Sequence, residues 1–123
     1  MSAALERFHP LIRRWFLERV GTPTQVQAAA WPVIAAGRHV LATAPTGSGK
    51  TLTAFLWALN QLISGEWQRG KVRVLYVSPL KALNNDIQRN LLTPLAELHE
   101  FFASEGEPFP GIDVRTRSGD TEQ

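Results

Sequence analysis

Cysteine is absent from the chain, which excludes disulfides and thiolate metal sites and fits a reducing compartment. No apolar run approaches the roughly 20 residues that a bilayer-spanning helix needs. The N-terminus, Met1-Ser2-Ala3-Ala4-Leu5-Glu6-Arg7, has no apolar signal-peptide core behind it. These absences set the expectation of a cytoplasmic protein with no membrane partner. Repeats and low-complexity tracts are also missing, and no Asp-Glu pair occurs anywhere.

What is present is the balance of a soluble globular protein, with 44% hydrophobic and 20% charged residues. The net charge of +2 conceals an uneven distribution. Residues 1–89 hold 11 Lys/Arg against 4 Asp/Glu, whereas residues 90–123 hold 2 against 7. A basic front is compatible with phosphate or nucleic-acid contact, and equally with an unevenly charged solvated surface.

Helical and strand patterns alternate along the chain. Pro10 suits the first turn of a helix in which Leu11, Trp15 and Val20 recur at helical spacing, Arg13, Arg14 and Glu18 take the wet face, and Gly21 is the stop. Thr22 or Thr24 caps an alanine-rich second helix that Pro32 should break or kink before Gly37 ends it. Residues 39–44 read as a short buried strand, 51–63 as a mostly apolar helix and 72–77 as a second buried strand. Residues 84–98 read as a helix with a possible interruption at Pro94, 106–111 as a loop and 112–116 as an alternating third strand. Strands alternating with helices predict an α/β fold with a parallel sheet flanked by helices. With only about three strands visible, that sheet reads as incomplete.

The most specific signal is Ala44-Pro45-Thr46-Gly47-Ser48-Gly49-Lys50-Thr51, which matches G-x-x-x-x-G-K-[ST] except that Ala44 replaces the first glycine. It follows a strand pattern and opens a helix, as a phosphate loop requires. A triphosphate is densely anionic, and backbone N–H groups can wrap it only where side chains do not intrude. Gly47 and Gly49 permit the necessary dihedrals, and the helix N-terminus adds partial positive charge. Lys50 is the candidate cation for the β- and γ-phosphates, and the Thr51 hydroxyl the candidate Mg²⁺ ligand. Thr46, Gly47, Ser48 and Gly49 complete the candidate ATP-binding set, with Lys50 and Thr51 as its catalytic members.

This form of the loop resembles that of superfamily 2 helicases, and two other segments agree. Pro23-Thr24-Gln25-Val26-Gln27 looks like their Q motif, P-T-x-x-Q, and the resemblance implies that Gln27 reads adenine. A carboxamide suits that task because it both donates and accepts. The alternative for Gln27 is a polar helix residue facing water. Ser78-Pro79-Leu80-Lys81-Ala82-Leu83 resembles motif Ia, which implies that Ser78, Pro79, Leu80 and Lys81 hold the backbone of a nucleic-acid strand. Arg117-Ser118-Gly119-Asp120-Thr121 resembles a short glycine-aspartate element of related enzymes.

The run as a whole is similar to the Lhr-like (large helicase-related) family of DEAD/DEAH-box helicases. Phe8-His9-Pro10, Trp15-Phe16, the stretch from Thr24 to Pro32, and Ser78 to Asp86 carry the similarity. It implies N-terminal helices with a Q-motif-like segment over 1–38 and the first part of a RecA-like P-loop domain over 39–123. It also implies an ATP-dependent helicase or translocase that uses ATP and Mg²⁺ on single-stranded DNA or RNA–DNA hybrids, with links to DNA repair.

That family places magnesium with a D-E-x-H segment and takes an arginine finger from a second RecA-like domain. With no Asp-Glu pair here, the chain reads as stopping before Walker B, with weak nucleotide binding and almost no turnover expected, and strand 39–44 short of a partner. Two alternatives stay open. One is a P-loop ATPase subunit of a DNA-translocating restriction-type enzyme. The other is a non-catalytic nucleic-acid-binding module using the basic front and stacking by Trp15, Trp31, Trp57 and Trp67.

Overall fold

The computed structural model describes residues 3–45, 49–68, 70–78 and 83–117. A 3₁₀ turn at Ala3–Leu5 leads into α1 (Pro10–Arg19), α2 (Gln25–Ala35) and α3 (Lys50–Ile63). α4 (Leu83–Ile87), a π turn (Gln88–Leu92) and α5 (Thr93–Ser104) then form one nearly continuous rod. None of the helices among the described residues is long and apolar enough to cross a membrane.

Each helix start has a local cause. His9 caps α1, its Nδ1 accepting from the Leu11 N–H at 3.1 Å, and Pro10 follows where no N–H is needed. Thr24, rather than Thr22, caps α2 through a full capping box. Its hydroxyl accepts from Gln27 N–H at 3.4 Å, and the Gln27 carboxamide oxygen accepts from Thr24 N–H at 2.9 Å.

The prolines interrupt less than their type suggests. α2 runs through Pro32 to Ala35, and Pro32 merely removes one donor on an exposed face. Pro94 lies in the first turn of α5, not at a break. The π turn just before it absorbs the lost hydrogen bond by widening the register, with Thr93 N–H bonding Gln88 C=O.

The core is aromatic and helical. Trp31 lies between Phe8 (5.0 Å, edge-on) and Phe16 (5.5 Å, edge-on), and its Nε1 donates to Thr53 C=O at 3.0 Å. Trp15, also buried, donates from Nε1 to Glu97 at 2.8 Å, joining α1 to α5. On α1 the buried side chains are Ile12, Trp15 and Phe16; Leu11 is only half-buried and Val20 is exposed, so the apolar stripe is rotated from the expected one. Leu52, Phe55, Leu56, Leu59 and Ile63 of α3 and Leu98 and Phe102 of α5 complete the core.

The expected strands are not formed among the described residues. Segments 39–45, 72–78 and 112–117 have no strand pairing. Leu41 is 90% and Leu75 83% exposed, where burial was expected. The physical reason is that an extended segment cannot satisfy its own N–H and C=O groups; it becomes a strand only when a neighbour supplies the ladder. Over 112–115 the alternation survives without a ladder: Ile112 and Val114 lean on the core while Asp113 and Arg115 face water.

Candidate nucleotide site

The start of α3 is organised by Gly49. Its φ of 84° lies in the left-handed region, and a Cβ there would run into the Gln27 carboxamide, so only glycine fits. The Gly49 carbonyl accepts three bonds: from Thr53 N–H (3.0 Å), Thr53 Oγ1 (2.6 Å) and Gln27 Nε2 (3.3 Å). The first turn of α3 is therefore closed by its own side chain and by α2.

Gln27 is 1% exposed, which rules out the water-facing alternative. Its carboxamide bridges the cap of α2 to the phosphate-loop end of α3, so two motifs separated in sequence meet in space. Each end of the carboxamide has one further bonding position, a second N–H and a second lone pair.

Lys50 is exposed at the first position of α3, and Thr51 is half-buried beside it. Thr46, Gly47 and Ser48 lie outside the described residues, as do Pro79, Leu80, Lys81 and the element at 118–121. Ser78 is described and half-buried.

Three polar residues that were not candidate site residues in the sequence, Tyr76, Asp86 and Asn90, gather beside Thr51. Its Oγ1 donates to Asp86 Oδ2 at 3.3 Å, and the Tyr76 hydroxyl donates to the same oxygen at 3.0 Å. Asn90 Nδ2 donates to Asp86 Oδ1 at 3.0 Å and to the Asp86 carbonyl at 3.2 Å. Tyr76 packs on Phe55 with ring centroids 5.0 Å apart. Burial pushes the Tyr76 phenol above its ordinary range; the bond to Asp86 adds to this, while hydrogen bonds with Thr51 and Ser78 oppose it. Two signals were available: Asp86 closes the run from Ser78 that carries the family similarity, and it is one of only 4 acids in the otherwise basic residues 1–89.

Hydroxyl and carboxylate oxygens are the hard donors that magnesium prefers, so Thr51 with Asp86 close by fits such an ion. Among the described residues no three or more His, Cys, Asp or Glu gather as a metal cage. Magnesium asks for no such cage, since it keeps several waters and phosphate oxygens. Three of the four tryptophans offer little for base stacking: Trp15 and Trp31 are buried with their indole N–H groups engaged, and Trp57 packs edge-on against Phe8 at 5.3 Å; Trp67 is half-buried.

Comparison with known proteins places these features. The family model for the DEAD/DEAH box helicases matches residues 24–108, a span that holds Gln27, Gly49, Lys50, Thr51 and Asp86. The chain is 49% identical over 118 residues to the Lhr helicase/probable uracil glycosylase of Mycolicibacterium smegmatis, covering 95% of this chain and 8% of that protein. It is 49% identical over 114 residues to ATP-dependent helicase Lhr-Core protein 2 of Thermococcus barophilus, covering 89% of this chain and 13% of that one. Among solved structures, Mycobacterium smegmatis helicase Lhr bound to ssDNA and AMP-PNP superposes with a TM-score of 0.86 at 49% identity, over 97% of this chain and 15% of that one. The chain thus spans only about a tenth of its curated relatives' length. The similarity carries a RecA-like P-loop fold, and relatives are named ATP-dependent helicases. On the match over residues 24–108, this chain belongs to the DEAD/DEAH box helicase family.

Proposed function

We propose that this chain binds ATP at the start of α3 and a nucleic-acid strand beyond segment 72–78, as the nucleotide-binding part of an ATP-dependent helicase or translocase acting on DNA or RNA–DNA hybrids in the cytoplasm. The observation that carries the reading is the meeting of Gln27 with Gly49 immediately before an exposed Lys50. In this reading Lys50 neutralises the β- and γ-phosphates, and the amides from Thr46 to Thr51 wrap them. Gln27 reads adenine with the N–H and lone pair that its present contacts leave over. Ser78 to Lys81 hold the strand's phosphates.

Magnesium would be held by the Thr51 hydroxyl, with water and phosphate oxygens as the rest of its shell, and would supply charge neutralisation of the phosphates. Residues 1–38 carry the adenine-facing segment, and 39–123 the first part of the RecA-like domain. Within it, segments 39–44, 72–77 and 112–116, unpaired in this structure, would become parallel strands where a neighbouring strand supplies their ladder. The similar Mycobacterium smegmatis helicase Lhr, solved bound to ssDNA and AMP-PNP, supports both ligand classes.

Calorimetric titration with Mg²⁺-ATP tests the reading. Heat is expected at sub-millimolar to millimolar ligand from the folded protein, and Lys50→Ala should weaken binding by at least about tenfold, in line with losing a charge-assisted contact worth roughly 1.5–3 kcal/mol. Absence of heat from a demonstrably folded protein overturns it.

A further inference from the structure

Asp86 ties together two segments to which separate ligands have been assigned. One Oδ2 atom receives both the Thr51 hydroxyl (3.3 Å) and the Tyr76 hydroxyl (3.0 Å). Oδ1 receives Asn90 Nδ2 (3.0 Å) from the π turn, and Ser78 follows Tyr76 by two positions on the same extended segment. The chain of contacts runs from Tyr76, beside the strand-holding Ser78, through Asp86 to Thr51, the magnesium ligand. We propose that Asp86 is a positioning residue that orients the Thr51 hydroxyl for magnesium and links that orientation to strand occupancy at Ser78. The proposal rests on the nucleotide reading of Thr51 and the strand reading of Ser78.

The chemistry is direct. A hydroxyl has one proton and two lone pairs. With its proton turned toward Asp86 and the Tyr76 hydroxyl, Thr51 Oγ1 keeps its lone pairs on the side away from the carboxylate, where a hard cation can approach. The carboxylate also raises the local affinity for positive charge. Tyr76 competes for the same Oδ2, so a shift of the segment 76–78 changes how firmly Asp86 holds Thr51. A π turn, a single widened turn of a kind frequent at functional sites, sits next to this acid and supplies Asn90 to hold it. Asp86 holds Thr51 as an outer shell holds a metal ligand, Tyr76 and Asn90 in turn hold Asp86, and loss of an outer-shell partner typically costs 10–100-fold in metal affinity.

The test is a magnesium titration of the full-length polypeptide with a fluorescent, non-hydrolysable ATP analogue, with and without a single-stranded oligonucleotide. In the wild type the oligonucleotide is expected to lower the magnesium half-saturation point. Asp86→Asn, which keeps an acceptor oxygen but removes the charge, should raise that point about tenfold and shrink the oligonucleotide effect, while binding of the analogue without magnesium and the thermal melt stay close to wild type. Half-saturation and oligonucleotide effect both within about twofold of wild type in a folded Asp86→Asn protein overturn the proposal. Should that variant not fold, Tyr76→Phe decides: a diminished oligonucleotide effect supports the link, and an undiminished one overturns it. If the wild type binds no analogue at all, the nucleotide site itself falls, an outcome distinct from a failure confined to Asp86.

Discussion

The helical face of this molecule and its extended segments follow opposite rules. α1, α2, α3 and α5 bury Trp15, Trp31, Phe16 and Phe102 almost completely. Segments 39–45 and 72–78 are as apolar in sequence, yet leave Leu41, Val72, Leu75 and Val77 between 80% and 90% exposed. A helix bonds its own backbone within the segment, so it needs neighbours only for its side chains. An extended segment needs a neighbour for both. The difference shows where folding information is local and where it is held by residues far away in the chain.

The contrast breaks most readily in the core. Trp31→Ala removes a buried ring set between Phe8 and Phe16 together with its bond to the Thr53 carbonyl, and should cost about 3–5 kcal/mol. Leu75→Ser, at an 83% exposed position, should change stability by no more than about 0.5 kcal/mol while reducing self-association. Urea denaturation and sedimentation of both variants check the pair. A Leu75→Ser loss as large as that of Trp31→Ala would show that segment 72–78 is packed in solution and the contrast unreal.

What could be read beforehand follows the same division. The positions of α1, α2 and α3 were legible because caps, helix spacing and the glycine-rich turn are local signals. Gly49 is the sharpest case, since the left-handed dihedral that the turn demands is visible in the residue type itself. The choice between Thr22 and Thr24 was not legible, because it turns on Gln27 reaching back to Thr24. The apolar stripe of α1 was misplaced for a related reason: Phe16 packs on Trp31 of α2 and Trp15 bonds Glu97 of α5, partners outside α1 that decide which of its faces is buried. Strands over 39–44 and 72–77 were expected from β-branched and apolar runs, which describe what a sheet would accept and do not supply its partner. In the candidate site, Lys50 and Thr51 were found by motif. Asp86 was not, because its pairing with Thr51 spans 35 positions and exists only through the packing of the π turn on α3.

The capping box sharpens the comparison at smaller scale. Thr24→Ala should destabilise by about 1 kcal/mol, the usual worth of an N-cap, whereas Thr22→Ala, exposed and outside the box, should fall within about 0.5 kcal/mol. Thermal melts of the two variants check this. Equal losses would mean that the cap slides between the threonines, and that local signals specify this helix less tightly than supposed.

The smallest effect concerns pH and again belongs to the helical face alone. Burial lowers the His9 imidazole below the ordinary histidine range; Glu107 pulls it upward and Arg13 pushes it down further. The ring lies 4.9 Å from Phe102, and its Nδ1 is the acceptor that caps α1. The neutral form is therefore the one that folding favours. A group whose folded pKa is depressed contributes stability at pH above its unfolded value and loses it as pH falls through the folded one. Protonation also turns Nδ1 into a donor facing the Leu11 N–H, so the cap and the buried ring are lost together. Between neutral pH and about pH 5 the wild type should thus lose some fraction of the roughly 1 kcal/mol that a cap is worth. His9→Asn retains a capping oxygen and cannot titrate, so its stability should be flatter over the same range. Parallel melts at the two pH values measure the difference, and identical slopes for wild type and His9→Asn would place the acid sensitivity elsewhere, removing His9 as the pH-dependent contact of the helical face.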